Sequence, residues 1–229
     1  MYAVNALEWL NLTRHGESTG NVASIAAHEA EREENGIAQR DADIPLSDAG
    51  REQAALLGRR LAALPEDERP ALVLVSPYVR TRDTARIALD QLPYAPRVRV
   101  DERLRDRDQG VLEGLTWHGI RRRFPEEAER KRRLGKFYYR APGGESWADL
   151  ALRLRSLYHE QSGRVLVVTH DAIVVMTRYL VEELTEEQVM AVEKTPVANC
   201  SLSRWRRADG RLQPVAYNDT SFLTGASAR

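Results

Sequence analysis

Two unbroken apolar runs constrain the fold of this chain more than any other feature. Residues 71–75 read ALVLV, and residues 165–168, after Arg164, read VLVV. A strand with one face in water alternates between apolar and polar residues. Runs without alternation are strands covered on both faces, as in a parallel sheet between two helical layers. Each run stops at polar residues, Ser76 in one case and Thr169-His170 in the other. Around them, REQAALLGRRLAAL, YVRTRDTARIAL, WADLALRLRSLY and AIVVMTRYLVEEL carry apolar residues at helical spacing. Ser47 or Asp48 in DIPLSDAG is the expected cap of the first of these. Leu7, Trp9, Leu10 and Leu12 predict an opening strand, RVRVD a short one, and SLSRWRR and QPVAYN closing ones. The alternating order predicts an α/β fold with a mostly parallel central sheet and helices on both faces.

Residues 1–229 contain no repeat, low-complexity tract or clear linker, so one domain is expected. Two segments stand apart from the sheet pattern. Residues 22–40, rich in Ala and Glu, read as a helix or a flap. Residues 115–144 read as an insertion over the site, helical and heavily charged across 121–139.

Lys and Arg number 34, and Asp and Glu number 34. The balance argues against a nucleic-acid or membrane-surface binder, because both need a basic excess. RRRFPEEAERKRR interleaves acids with its bases and reads as a solvated, ion-paired helix. A single cysteine, Cys200, excludes an internal disulfide and fits a reducing compartment. No run of about 20 apolar residues is present, and no secretory leader is expected. The expectation is a cytoplasmic protein without nucleic-acid or membrane partners.

Three polar stretches lie just beyond apolar strands: TRHGESTGN, SPYVRTRDTA and VVTHDA. In an open parallel sheet the carboxyl ends of the strands converge on one edge. Arg14, His15, Arg80 and His170 can therefore meet although they are far apart in sequence. Two guanidiniums and two imidazoles suit a dianion. Arginine forks match phosphate oxygens, and an imidazole can attack phosphorus. A departing alkoxide then needs a proton, for which Asp106 is the leading candidate, with Asp108 and Asp171 as rivals. His28, His118 and His159 read as surface residues. No zinc-type His/Cys spacing and no Walker loop is seen, so neither metal nor cofactor is expected.

LTRHGESTGN resembles the signature of the histidine phosphatase superfamily, whose fold is phosphoglycerate-mutase-like. SPYVRTRDTA resembles its Ser-Pro-x-x-Arg segment, DIPLSDAGREQA its Pro-Leu-Thr-x-x-Gly segment and VVTHDA its second-histidine segment. The resemblance covers nearly the whole chain. It implies that His15 becomes phosphorylated and that Arg14, Arg80, His170 and Asn21 bind the phosphoryl group. It also places Asp106 at the position of the family's acid, usually Glu, four residues before Gly110. The 115–168 stretch is short, like that of the phosphatase members, and LGKFYYRAPGGES resembles a subgroup of phosphatase-like proteins. The implied activity is hydrolysis of a small phosphorylated metabolite. Gln109, Lys136, Tyr139 and Arg140 are candidates for gripping it at the pocket mouth.

Three other readings compete. A cofactor-dependent phosphoglycerate mutase would pass the phosphoryl group to a second hydroxyl. A serine hydrolase would use Ser18 in GESTG, which matches a nucleophile elbow but follows only one strand. A phosphate-binding module would bind without turnover. DADIPL resembles the Asp-x-Asp of metal-dependent phosphatases, yet no apolar strand precedes it.

Overall fold

The computed structural model describes residues 6–224; residues 1–5 and 225–229, included in the expected single domain, lie outside the described residues. Six strands form one sheet: β1 (Leu7–Arg14), β2 (Leu72–Val75), β3 (Arg97–Val100), β4 (Gly163–Thr169), β5 (Leu202–Ala208) and β6 (Arg211–Asp219). Their spatial order is β3-β2-β4-β1-β5-β6. The first four run parallel, and β5 and β6 form an antiparallel edge against β1.

The missing alternation in β4 is explained by two cores. Val165 and Val167 face one apolar cluster with Leu10, Leu12 and Leu74. Leu166 and Val168 face the other, with Val73 and Val75. Helices α2 (Asp48–Ala62) and α3 (Val79–Leu89) cover the second face. Helices α6 (Trp147–His159) and α7 (Asp171–Val181) cover the first, with Val189 of the short α8 (Glu186–Val192). Local chemistry starts the helices. Ser47 caps α2 by accepting from the Gly50 amide, and Ser146 and Asp149 form a capping box on α6.

The two segments outside the sheet pattern differ from expectation. Helix α1 (Thr19–Glu29) takes only the first part of the 22–40 stretch, and a separate 3-10 turn follows at Asp41–Asp43. The 121–139 stretch divides into α4 (Trp117–Arg123) and α5 (Pro125–Tyr138), and α5 is itself kinked at Gly135, whose φ is 74°. Pro125 is the reason for the division: its ring cannot continue α4, yet it suits the first turn of a new helix. The loop that follows turns back under α4, burying Tyr139 with Leu112 and Ala141 in a small third cluster.

Candidate active site

The carboxyl ends of β1, β2 and β4 bring together Arg14, His15, Ser76, Arg80 and His170. The His15 amide donates to the Thr169 carbonyl (2.9 Å), which ties the end of β1 to the end of β4. The two imidazole centroids are 5.3 Å apart. Helices α1, α3 and α7 begin beside these strand ends, at Ser18, Tyr78 and His170. Their amino termini add partial positive charge to the same region.

The glycine after His15 has a packing role. A Cβ on Gly16 would lie 2.4 Å from the Gly50 carbonyl oxygen, and one on Gly50 would lie 2.0 Å from the Glu17 carbonyl oxygen. The Arg-His-Gly loop is therefore seated directly on the first turn of α2, backbone against backbone.

Hydrogen bonds assign the protonation of His15. Its Nδ1 lies 2.7 Å from the Gly16 carbonyl, which can only accept, so Nδ1 carries the proton. Nε2 is then the lone-pair nitrogen, and Arg80 Nε donates to it at 3.2 Å. Burial pushes the His15 pKa well below its ordinary value, and Arg14, His170 and Arg80 push the same way. His170 is shifted down likewise, first by burial and then by Arg80 and Arg14. Both rings are neutral at neutral pH. His170 Nε2 lies 2.8 Å from Ser76 Oγ, and its Nδ1 faces Arg80 (3.4 Å) and Asp106 (3.4 Å).

The guanidiniums differ in their partners. Arg14 donates to the Val197 carbonyl, and its buried Nε has no partner. A buried donor without an acceptor is costly, and an anion on this edge would satisfy it. Arg80 is nearly fully buried, and Asp41 holds both of its terminal nitrogens, through the backbone carbonyl and through Oδ2 at 3.0 Å. Asp106 Oδ2 lies 3.5 Å from the same guanidinium.

The expected site residues fall into distinct places. Asn21 joins the α1 capping box: its Oδ1 accepts from the Ser18 amide and from Asn199, leaving Nδ2 to donate elsewhere. Asp106 reaches Arg80 and His170. Asp108 Oδ1 instead accepts from the Gly110 amide, and Asp171 accepts from the Val197 amide near Arg14. Ser18 is the N-cap of α1 and accepts from the Asn21 amide; no histidine bonds its hydroxyl among the described residues, so it lacks the base a serine nucleophile needs.

Gln109 and Lys136 line a cleft of about 650 Å³ between α1, the 107–117 segment and α5. Tyr139 and Arg140 correct the expectation of a shared pocket mouth. Tyr139 is buried in the third cluster with its hydroxyl donating to Glu127 (2.8 Å), and Arg140 points outward, donating to the Gly144 carbonyl.

Four contributors escaped sequence reasoning. Asn199 donates to the His15 carbonyl, Asp41 occupies Arg80, Tyr78 packs on His170 with ring centroids 4.9 Å apart, and Glu113 lines the cleft. Glu113 lies exposed on the cleft rim, where desolvation, reinforced by Asp41, Asp106 and Asp108, raises it to about 7. Of the four, only Tyr78 had a usable signal, its place between a strand end and Arg80.

A sheet edge with two neutral imidazoles, two guanidiniums and three helix amino termini defines a phosphate-handling enzyme site. The chain belongs to the histidine phosphatase superfamily (branch 1), whose family model matches residues 10–220. It is 34% identical over 165 residues to a probable fructose-2,6-bisphosphatase of Schizosaccharomyces pombe, covering 71% of this chain and 35% of that protein. It is 31% identical over 183 residues to 2,3-bisphosphoglycerate-dependent phosphoglycerate mutase 2 of Gloeobacter violaceus, covering 76% and 80%. The chain thus spans about a third of the first bisphosphatase relatives. The solved structure of mycobacterial hydrolase 1 superposes with a TM-score of 0.72 at 26% identity, covering 93% of this chain and 98% of that one.

Proposed function

We propose that this protein is a metal-independent phosphomonoester phosphatase working through a phosphohistidine, on a small phosphorylated metabolite in the cytoplasm. The observation that carries the reading is the tautomer of His15. Its neutral ring is fixed by the Gly16 carbonyl and presents the Nε2 lone pair beside Arg80. In the first step the Nε2–phosphorus bond forms as the phosphorus–oxygen ester bond breaks. The leaving oxygen takes a proton from Asp106, which stands 3.4 Å from His170 Nδ1 at the same edge. Arg14, Arg80, His170 and Asn21 hold the three equatorial oxygens, where charge develops. In the second step Asp106 takes a proton from water, whose oxygen attacks phosphorus and releases His15 and inorganic phosphate. The lone, buried Cys200 fits the reducing setting.

The test is phosphate release from p-nitrophenyl phosphate with EDTA present. Release by the native chain and loss in His15→Ala supports the reading; release that persists in the variant removes His15 as nucleophile. The mutase reading is favoured instead if the phosphoryl group is retained in an organic product and turnover requires a bisphosphorylated primer.

A further inference from the structure

The segment between α8 and β5 touches three of the side chains assigned to the phosphoryl group. The Val197 carbonyl accepts from the Arg14 guanidinium (2.6 Å), and the Cys200 amide donates to the Arg14 carbonyl (3.0 Å). Cys200 holds a φ of 54°, in the left-handed region that residues with a side chain seldom adopt. Such a conformation persists where its surroundings over-determine it, and it recurs at functional sites. Here the turn is tied from two further elements. Asp171 Oδ1 accepts from the Val197 amide (3.4 Å), and Asn218 Oδ1 accepts from the Ala198 amide (2.8 Å).

Asn199 is buried in this turn, and its neighbours dictate which way its amide faces. The His15 carbonyl can only accept, so the Asn199 atom 2.9 Å from it is the Nδ2 donor. The same nitrogen lies 3.3 Å from Asn21 Oδ1. That oxygen also accepts from the Ser18 amide (3.1 Å), which can only donate. Two donors from distant parts of the chain therefore converge on Asn21 Oδ1. The Ser18 amide alone would fix the oxygen and leave the rest of the side-chain amide to swing about that bond. The second donor fixes its plane. Asn21 Nδ2 is then turned away from both and makes no hydrogen bond among the described residues.

Resting on the phosphatase reading above, in which Asn21 binds the phosphoryl group, we propose that Asn199 is the positioning residue for that contact. It holds the Asn21 amide with Nδ2 aimed at a phosphoryl oxygen. Because the same Nδ2 is bonded to the His15 carbonyl, it also ties this donor to the backbone of the nucleophile. A donor set in place before the anion arrives needs no reorganisation during the reaction.

Inorganic phosphate is the probe. Its dissociation constant is measured by calorimetry on the native chain, Asn21→Ala, Asn199→Ala and the double variant. Asn21→Ala should weaken binding about tenfold, as expected for loss of a hydrogen bond to a charged group. Asn199→Ala should weaken it about threefold in the native chain but less than about 1.5-fold once Asn21 is gone, because residues that act as a unit are not additive. A purely structural loss would appear in full on both backgrounds. Equal penalties on the two backgrounds overturn the proposal, as does the absence of a penalty in the native chain. It is also overturned if Asn21→Ala binds phosphate as tightly as the native chain does. If Asn199→Ala fails to fold, NMR on the native chain carries the test. The Asn199 side-chain amide protons should exchange slowly with solvent, and those of Asn21 should shift on addition of phosphate. Asn199 protons that exchange as fast as those of surface asparagines overturn the proposal, as does an Asn21 amide that phosphate leaves unmoved. Hydrolysis of p-nitrophenyl phosphate, and its loss in His15→Ala, tests the underlying reading separately, since it requires turnover where the cycle requires only binding.

Discussion

Asp41 occupies the guanidinium that the proposed reaction needs, and replacing it should strengthen phosphate binding. Its Oδ2 lies 3.0 Å from a terminal nitrogen of Arg80, and its backbone carbonyl holds the other. An incoming phosphoryl group must share Arg80 with this carboxylate or displace it. Two negative groups on one guanidinium sit about 5 Å apart, and at an effective dielectric constant near 20 each pair of unit charges repels by about 3 kcal/mol. The Asp41 side chain is 30% exposed, so solvent screening and movement of its loop reduce this to about 1–2 kcal/mol. Asp41→Asn preserves volume and the backbone contact while removing the charge. The inhibition constant for inorganic phosphate should therefore fall about tenfold, measured against p-nitrophenyl phosphate and confirmed by calorimetry. The gain should shrink in high salt. An inhibition constant that stays within twofold of the native value, or rises, would show that Asp41 serves to orient Arg80 rather than to compete with the anion.

Glu113, exposed at the cleft rim and raised to about 7 by partial desolvation and by three neighbouring aspartates, gains a negative charge as pH rises through neutrality; kcat/KM for anionic esters should decline there, and Glu113→Gln should abolish that inflection while leaving the acid limb. Both site histidines are neutral when folded, with pKa values below the ordinary one. The unfolded chain therefore binds more protons as pH falls below about 6.5, and stability should drop across that window. Thermal melts at stepped pH check this, and saturating phosphate, which favours protonated rings, should flatten the trend. Gly16→Ala puts a methyl 2.4 Å from the Gly50 carbonyl oxygen; it should cost about 1–3 kcal/mol in denaturant titrations and lower turnover further by displacing His15.

The centre of the sheet was legible because β2 and β4 carry apolar residues on both faces. Val165 and Val167 serve one core, Leu166 and Val168 the other, and a run without alternation has few other uses. Arg80 and His170 were legible for a related reason: each follows such a run within a few residues, and Arg14 and His15 stand at the end of β1, which runs parallel to those strands. Asn199 and Asp41 were not. Both sit in loops whose position depends on long-range packing, and neither has a period or a neighbouring strand to anchor it. Tyr139 failed in the opposite sense. Its polar, aromatic character fitted a pocket mouth, but the turn after α5 folds it beneath the insertion, where Glu127 accepts its hydroxyl. The break at Phe124–Pro125 was available from proline chemistry and was masked by the helical composition on either side.

The hydrogen bonds that hold His15 come from widely separated parts of the chain. Thr169 accepts its amide proton, Asn199 donates to its carbonyl, and the Cys200 amide donates to the Arg14 carbonyl. The ring's long-range partner, Arg80, lies between His15 and these residues in sequence. During synthesis, therefore, the backbone clasp on Arg14 and His15 cannot close until about residue 200 has left the ribosome. Such non-local closure makes for slow, cooperative assembly, and the sheet edge that holds both histidines is completed only when nearly the whole chain is available.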